Sequence, residues 1–306
     1  MIVLTSHSIQ IRKLTLTAVF LSLALILKTY FSIYIPMFGQ NGMRIGVAGV
    51  FTALPAILFG PFYGMLASGL TDLLGHFLKP AGAYMPLLTL TACLGGFLRG
   101  LFWMLLRNCR EKTVRIAVVV LVVCAAVFGL WNIWALSADG VDAGFYDRLS
   151  PGAAVDTDNM RLISRMLITR TANVSDPGGS LATYINFTTA GPVGFSIFGA
   201  VMLVADFVLS KRMTMAGQKG SIIKILLALL LAGMIVTTLN TVILREMFFA
   251  SWKVLPFSVL WLPRAIEELI ANTVNAYMVA ILYGILLRQP ALHRMVFPTS
   301  APVAKS

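Results

Sequence analysis

Asp72 and His76 stand four residues apart inside a run that is otherwise apolar, so a helix would carry both side chains on one face. A carboxylate and an imidazole so placed can relay a proton or hold a cation, and ionisable groups within apolar spans mark function more often than decoration. Two ligands are too few for a metal site, however. Cys93 and Cys124 lie in apolar runs and Cys109 in a basic one, with no Cys/His cluster among them. Hydrogen bonding between helices is therefore the preferred role for the Asp72/His76 pair, and neither metal nor cofactor is expected. Asp206, one turn from Lys211 and Arg212, is read as snorkelling to a membrane interface. Glu267 and Glu268 open the last apolar run and are read as caps at the positive end of a helix dipole.

Enzymatic patterns are absent from the sequence: it holds no Gly-x-Ser-x-Gly elbow, no His-Glu-x-x-His and no Walker motif. No enzyme activity is expected. A transport protein of this kind must draw on an ion gradient or on a partner that hydrolyses ATP.

The elements that position these residues follow from composition. With 58% hydrophobic and only 12% charged residues in 306, and a mean hydropathy of +0.86, the chain is too apolar for a soluble domain and reads as an all-α polytopic membrane protein. The net charge of +12 is spread over short clusters between apolar runs, which fits the positive-inside rule and not nucleic-acid binding. About eight crossings are expected by length and apolarity, over residues 14–35, 46–59, 62–77, 87–106, 114–136, 190–210, 222–244 and 264–287. The second and third are short and flank the hinge Gly60-Pro61-Phe62-Tyr63-Gly64, and Gly/Pro-interrupted short spans tend to line a site. An even number of crossings puts both termini on one side. The basic clusters at Arg12 and Lys13, Arg107 to Arg115, Lys211 to Lys219, and Arg288 and Arg294 make that side the cytoplasm.

Residues 137–189 form the one soluble-looking stretch, expected outside the membrane. Met160, Ile163 and Met166 or Leu167 recur at helical spacing within 158–170, which predicts a short amphipathic helix. Its arginines, Arg161, Arg165 and Arg170, are read as a solvated face pairing with Asp156 and Asp158 in preference to an anion site.

The array Arg44-Ile45-Gly46, Leu54-Pro55, Phe59-Gly60-Pro61-x-x-Gly64, Asp72-Leu73-Leu74-Gly75 and Pro80-x-Gly82-Ala83-Tyr84-x-Pro86, with the later Leu239-Asn240-Thr241 and Pro263-Arg264, resembles the folate-type substrate-binding S components of energy-coupling factor (ECF) vitamin transporters. The resemblance covers about residues 11–107 and 221–288. It implies a six-helix S-component-like bundle, four helices in 11–107 and the final two in 221–288. The stretch 108–220 is then an insertion with two extra transmembrane helices around the outer segment 137–189, and 289–306 is a cytoplasmic tail. It also implies that the protein captures a folate-like vitamin from outside the plasma membrane and docks on a transmembrane coupling subunit carrying two ATPases. Arg44 and Arg264 are then expected at the mouth of the substrate site, with Lys28, Tyr84 and Asn240 as further polar contacts. Ala18 and Ser22 place two small residues on one helix face, which permits close helix approach, and in this family such a face resembles the docking surface for the coupling subunit.

Two other readings stay open at this point. An ion-coupled secondary transporter would carry inverted repeats and a relay of buried carboxylates, neither of which is evident. A membrane sensor would use 137–189 to meet an outside partner and the bundle as anchor. The orientation is checked by a single cysteine at Ser150 in a cysteine-free background, which should react with an impermeant thiol reagent in intact cells, while one at Gln218 should not. Labelling of Gln218→Cys alone would invert the topology.

Overall fold

The structure is a computed structural model that describes residues 6–37, 40–80, 82–148, 157–172, 176–212, 222–253 and 257–296. It is helical apart from one short hairpin, and among the described residues six helices are long and apolar enough to cross a membrane. The chain divides into two compact units, one comprising Met1–Glu111 with Ser210–Ser306, the other Lys112–Leu209.

The first unit opens with α1 (Ser6–Tyr30), which stops five residues short of the end expected for the first span. An antiparallel hairpin, β1 (Ile33–Met37) with β2 (Gln40–Ile45), occupies what the apolar run and the following residues suggested would be a span end and a loop. The alternating Ile33, Tyr34 and Ile35 are β-branched or aromatic, and strand pairing competes well with helix for such residues. Then come α2 (Ala48–Phe59), α3 (Pro61–Leu78), α4 (Pro86–Arg107), α9 (Ile222–Ile243), α10 (Phe257–Leu287) and the short α11 (Pro290–Val296). Helices α5 to α8 belong to the second unit. The neighbours α2–α3, α3–α4, α4–α9, α9–α10 and α10–α2 close a ring, and α1 packs on α2 and α3.

The hinge is where the short helices earn their geometry. Gly60 ends α2 at φ 106°, a backbone conformation favouring glycine, and Pro61 begins α3 at a position where its missing N–H costs nothing. At its 12 residues α2 spans about 18 Å, well under the thickness of the hydrocarbon core. It is not among the membrane-length helices, and neither is α3, so the count of spans by length and apolarity is lower than the sequence suggested. Small residues set how closely the ring packs. A side chain at Gly96 would strike the backbone of Gly64, and one at Gly100 would come within 2.6 Å of Pro61, so α3 and α4 approach backbone to backbone.

The second unit contains α5 (Glu111–Ala138), α6 (Leu162–Thr171), α7 (Pro177–Thr188) and α8 (Ala190–Arg212). The amphipathic helix expected near 158–170 is α6, but 137–189 also contains α7, which leads directly into α8, so the apolar helical stretch runs from Pro177 to Val208. Asp176 caps α7 by accepting from Gly179 N at 3.0 Å, with Pro177 in the first turn. Helices α5 and α8 meet where Gly199 faces Val122 and Gly129 faces Val193. Asp206 does not snorkel. Its side chain is 4% exposed and its Oδ2 accepts from Arg115 Nη2 at 2.9 Å and Nε at 3.0 Å, because the guanidinium of the facing helix offsets the burial of the carboxylate. Beyond that pair, Leu136, Val141, Leu167, Ile168 and Leu181 form a small core that holds α6 against α5 and α7.

Candidate functional site

In the first unit, one end of the ring opens into a cavity of about 590 Å³. Residues from three connections line it: Ser32 and Gly46 at the ends of the hairpin, Lys79 and Gly82 to Met85 between α3 and α4, and Phe248 and Phe249 between α9 and α10. The volume falls in the ordinary range for small-molecule sites.

One wall is aromatic and apolar. Helix α9 continues through a wide π-helical turn, Leu244–Phe248, followed by a 3-10 turn, Ala250–Trp252. The fully buried Trp252 packs with Leu244 and Leu260, and Phe248, Phe249 and Leu88 lie against this cluster. Phe248 and Phe249 meet edge to face with centroids 4.7 Å apart, and both line the cavity with Leu88 and Leu244. Tyr84 contributes from the opposite connection, its ring 5.2 Å from that of His76 and stacked on Phe77 at 6.2 Å. Flat conjugated rings suit such a wall.

The rest of the lining is charged. Lys28 is buried and donates to Asp72 Oδ1 at 2.9 Å and to the Thr71 carbonyl at 3.1 Å, while Asp72 Oδ2 accepts from Thr89 at 2.9 Å. Asp72 thus ties α1, α3 and α4 together, which is the interhelical bonding expected of it, and its sequence partner His76 serves the aromatic cluster instead. Gly75 leaves room for this arrangement, since a Cβ there would lie 2.7 Å from Lys28 Cδ. Asn240 accepts from Thr91 at 2.5 Å, joining α9 to α4 beside the cavity.

Glu267 and Glu268 are not caps. Helix α10 starts at Phe257, about three turns before them, so both residues line the cavity from within the helix. Pro263 had suggested a boundary, but α10 runs through it. Glu268 accepts from Thr237 at 3.1 Å and from Asn272 at 2.7 Å. Arg99 donates to Thr52 at 3.3 Å, yet its Nε is buried without a hydrogen-bond partner, and so is Nη1 of Arg264. Buried guanidinium N–H groups that no protein acceptor satisfies are costly, and both arginines are among the cavity's lining residues.

The cavity therefore brings together Lys28, Tyr84, Asn240 and Arg264 of the residues expected from the sequence. Arg44 lies in β2 opposite Tyr34, next to the cavity residue Gly46, and its side chain falls outside the described residues. Ala18 and Ser22 are exposed on α1, away from the cavity lining, and Ser22 turns its hydroxyl back to the Ala18 carbonyl at 3.0 Å. Sequence reading missed Arg99, Asn272 and Asn275. A lone arginine in the middle of the apolar run 87–106 was the available signal for the first.

Residues 8–157 match the family described as "ECF-type riboflavin transporter, S component". Over 86 residues the chain is 30% identical to the folate transporter FolT of Clostridium novyi (strain NT), an alignment covering 28% of this chain and 47% of that protein. The chain thus spans about half the length of the curated relative it matches. No solved structure matches it.

The Lys28–Asp72 pair has an asymmetric consequence. Lys28 is 6% exposed and Asp72 31%, so Asp72→Asn deprives a buried ammonium of its carboxylate, whereas Lys28→Met leaves a carboxylate that still has Thr89 and some water. Thermal unfolding in detergent should show the larger loss for Asp72→Asn, toward the roughly 3 to 5 kcal/mol typical of a broken buried pair. Equal losses, or a larger one for Lys28→Met, would contradict this arrangement.

Proposed function

We propose that this chain is an S component of an ECF-type transporter and that it captures folate or a related anionic vitamin at the cavity of the first unit. The observation that carries the reading is the pair of buried, unsatisfied guanidinium N–H groups, on Arg99 and Arg264, in a cavity with an aromatic wall. A fused aromatic ring with a carboxylate tail satisfies both features, the ring against Phe248, Phe249 or Tyr84 and the carboxylate on the arginines. Arg44, at the neighbouring strand, is proposed as a further cation at the mouth.

The bundle is proposed to sit in the plasma membrane with both termini in the cytoplasm and the cavity facing outward. The exposed Ala18 and Ser22 support docking of a coupling subunit that carries two ATPases. A second reading is favoured by the riboflavin description of the matching family: a neutral flavin against the same aromatic wall, with the arginines donating to ring carbonyls.

Binding to the purified chain without nucleotide decides between them. With folate as titrant, Arg99→Gln and Arg264→Gln should each weaken affinity by about 1.5 to 3 kcal/mol, roughly tenfold to 150-fold. Unchanged folate affinity in both variants would overturn the anion reading, and tight riboflavin binding with none for folate would establish the flavin reading.

Docking is tested separately. Ala18→Leu with Ser22→Leu should bind ligand as the parent does, yet lose ATP-dependent uptake and copurification with the coupling subunit. Parental uptake by the double variant would refute the docking role. Ion-driven uptake into liposomes without any ATPase would favour a secondary transporter.

A further inference from the structure

Helix α6 turns two faces to different surroundings. Ser164, Leu167, Ile168 and Thr171 are buried, and Leu167 and Ile168 sit in the small core with Leu136 of α5 and Leu181 of α7. The opposite face carries Leu162, 76% exposed, and Met166, 60% exposed, one turn apart and flanked by the exposed Arg165 and Arg170. An apolar pair between arginines is out of place on a face bathed in water alone.

What lies beside it identifies the cover. Arg161, just before α6, places its guanidinium 4.4 Å from the ring of Trp134 and pairs with Asp139 at 2.5 Å. Trp134 and its neighbour Trp131 are themselves 51% and 59% exposed, at the end of α5 remote from the basic Lys112 and Arg115. Below them on α5, exposed Val120, Val123 and Val127 continue the apolar surface that faces lipid. Paired tryptophans at the end of such a surface mark the headgroup level. The N-terminus of α6 is therefore fastened to the interfacial end of a membrane helix. At 10 residues, about 15 Å, it is long enough to lie along that boundary.

We propose that α6 is an interfacial helix, with Leu162 and Met166 inserted among the headgroups of the leaflet at the Trp131/Trp134 end of α5. Arg165 and Arg170 lay their stems along the apolar boundary and reach lipid phosphates. Their present partners do not prevent this. Arg165 meets Asp158 at 3.6 Å with both side chains exposed, and Arg170 stands over the ring of Tyr184 at 5.6 Å, so both contacts exchange at little cost. The inserted unit is thereby held to the membrane surface by its own fold, whatever the first unit binds.

The test uses the full chain, with Cys93, Cys109 and Cys124 replaced by alanine, reconstituted in phosphatidylcholine nanodiscs at one copy per disc. Spin labels are attached singly at Leu162→Cys and Met166→Cys, with Val127→Cys as lipid reference and Ala143→Cys, in the exposed turn after α5, as water reference. All four positions are outside the buried cores, so labelling leaves the fold intact. Power saturation compares relaxation by oxygen, which partitions into lipid, with relaxation by a water-soluble nickel chelate. The labels at 162 and 166 should be relaxed more by oxygen, with the sign found at 127. Relaxation by nickel matching that at 143 would overturn the proposal. So would protection from both reagents, which would mean that protein covers this face.

Discussion

An apolar bundle cannot leave charge unanswered, and this constraint organises the first unit. Every cation in the ring interior faces a desolvation cost that only an opposite charge, a set of hydrogen bonds or a ligand offsets. Lys28 is answered by Asp72, and Asp72 by Thr89 as well. Glu268 is answered by Thr237 and Asn272. Among the described residues, Arg99 Nε and Arg264 Nη1 are buried without a hydrogen-bond partner, and both arginines line the same cavity, as does Ser68, whose hydroxyl is likewise unpartnered. The internal pairs fix the frame, and the proposal of a ligand site rests on the guanidinium atoms that these pairs leave unsatisfied.

Close backbone approach is the second requirement, because a cavity of this size at one end of a ring demands tight packing elsewhere. The α3–α4 contact is built on Gly64, Gly96 and Gly100, and the small residues Gly49 and Gly233 sit where Asn275 and Asn272 need space. Helix α2 is short for the same reason of close packing: its 12 residues end at Gly60, Pro61 follows at once, and a side chain at Gly64 would strike Ala56 and the Gly96 carbonyl.

Much of this was legible in the chain because it rests on local chemistry. The hinge Gly60-Pro61, the helices on either side of it, and the helix-joining role of Asp72 all follow from residue type and spacing. Lys28, Tyr84, Asn240 and Arg264 were placed at the site through a family resemblance, and they line the cavity together. The errors have a shared cause. Pro263 and the acidic pair after it look like a helix start, yet α10 begins at Phe257, because the packing of Leu260 and Trp252 extends the helix past a proline that local propensity would use as a boundary. Asp206 likewise reads as snorkelling to the interface beside Lys211 and Arg212, whereas its partner, Arg115, is 91 residues away in the chain. Arg99 went unnoticed for a related reason: nothing near it in sequence is polar enough to announce a site, and its neighbours Thr52 and Glu268 come from other helices.

The match to a riboflavin family over one half of the chain and to a folate transporter over a shorter stretch leaves the ligand to be decided by charge. The most direct measurement is equilibrium dialysis of the purified chain, without nucleotide or partner subunits, against folate and against its uncharged dimethyl ester. If Arg99 and Arg264 receive a carboxylate, folate binds and the ester loses most of that affinity. Equal binding of the two, or binding of neither, would contradict the account of the cavity as an anion-capturing site.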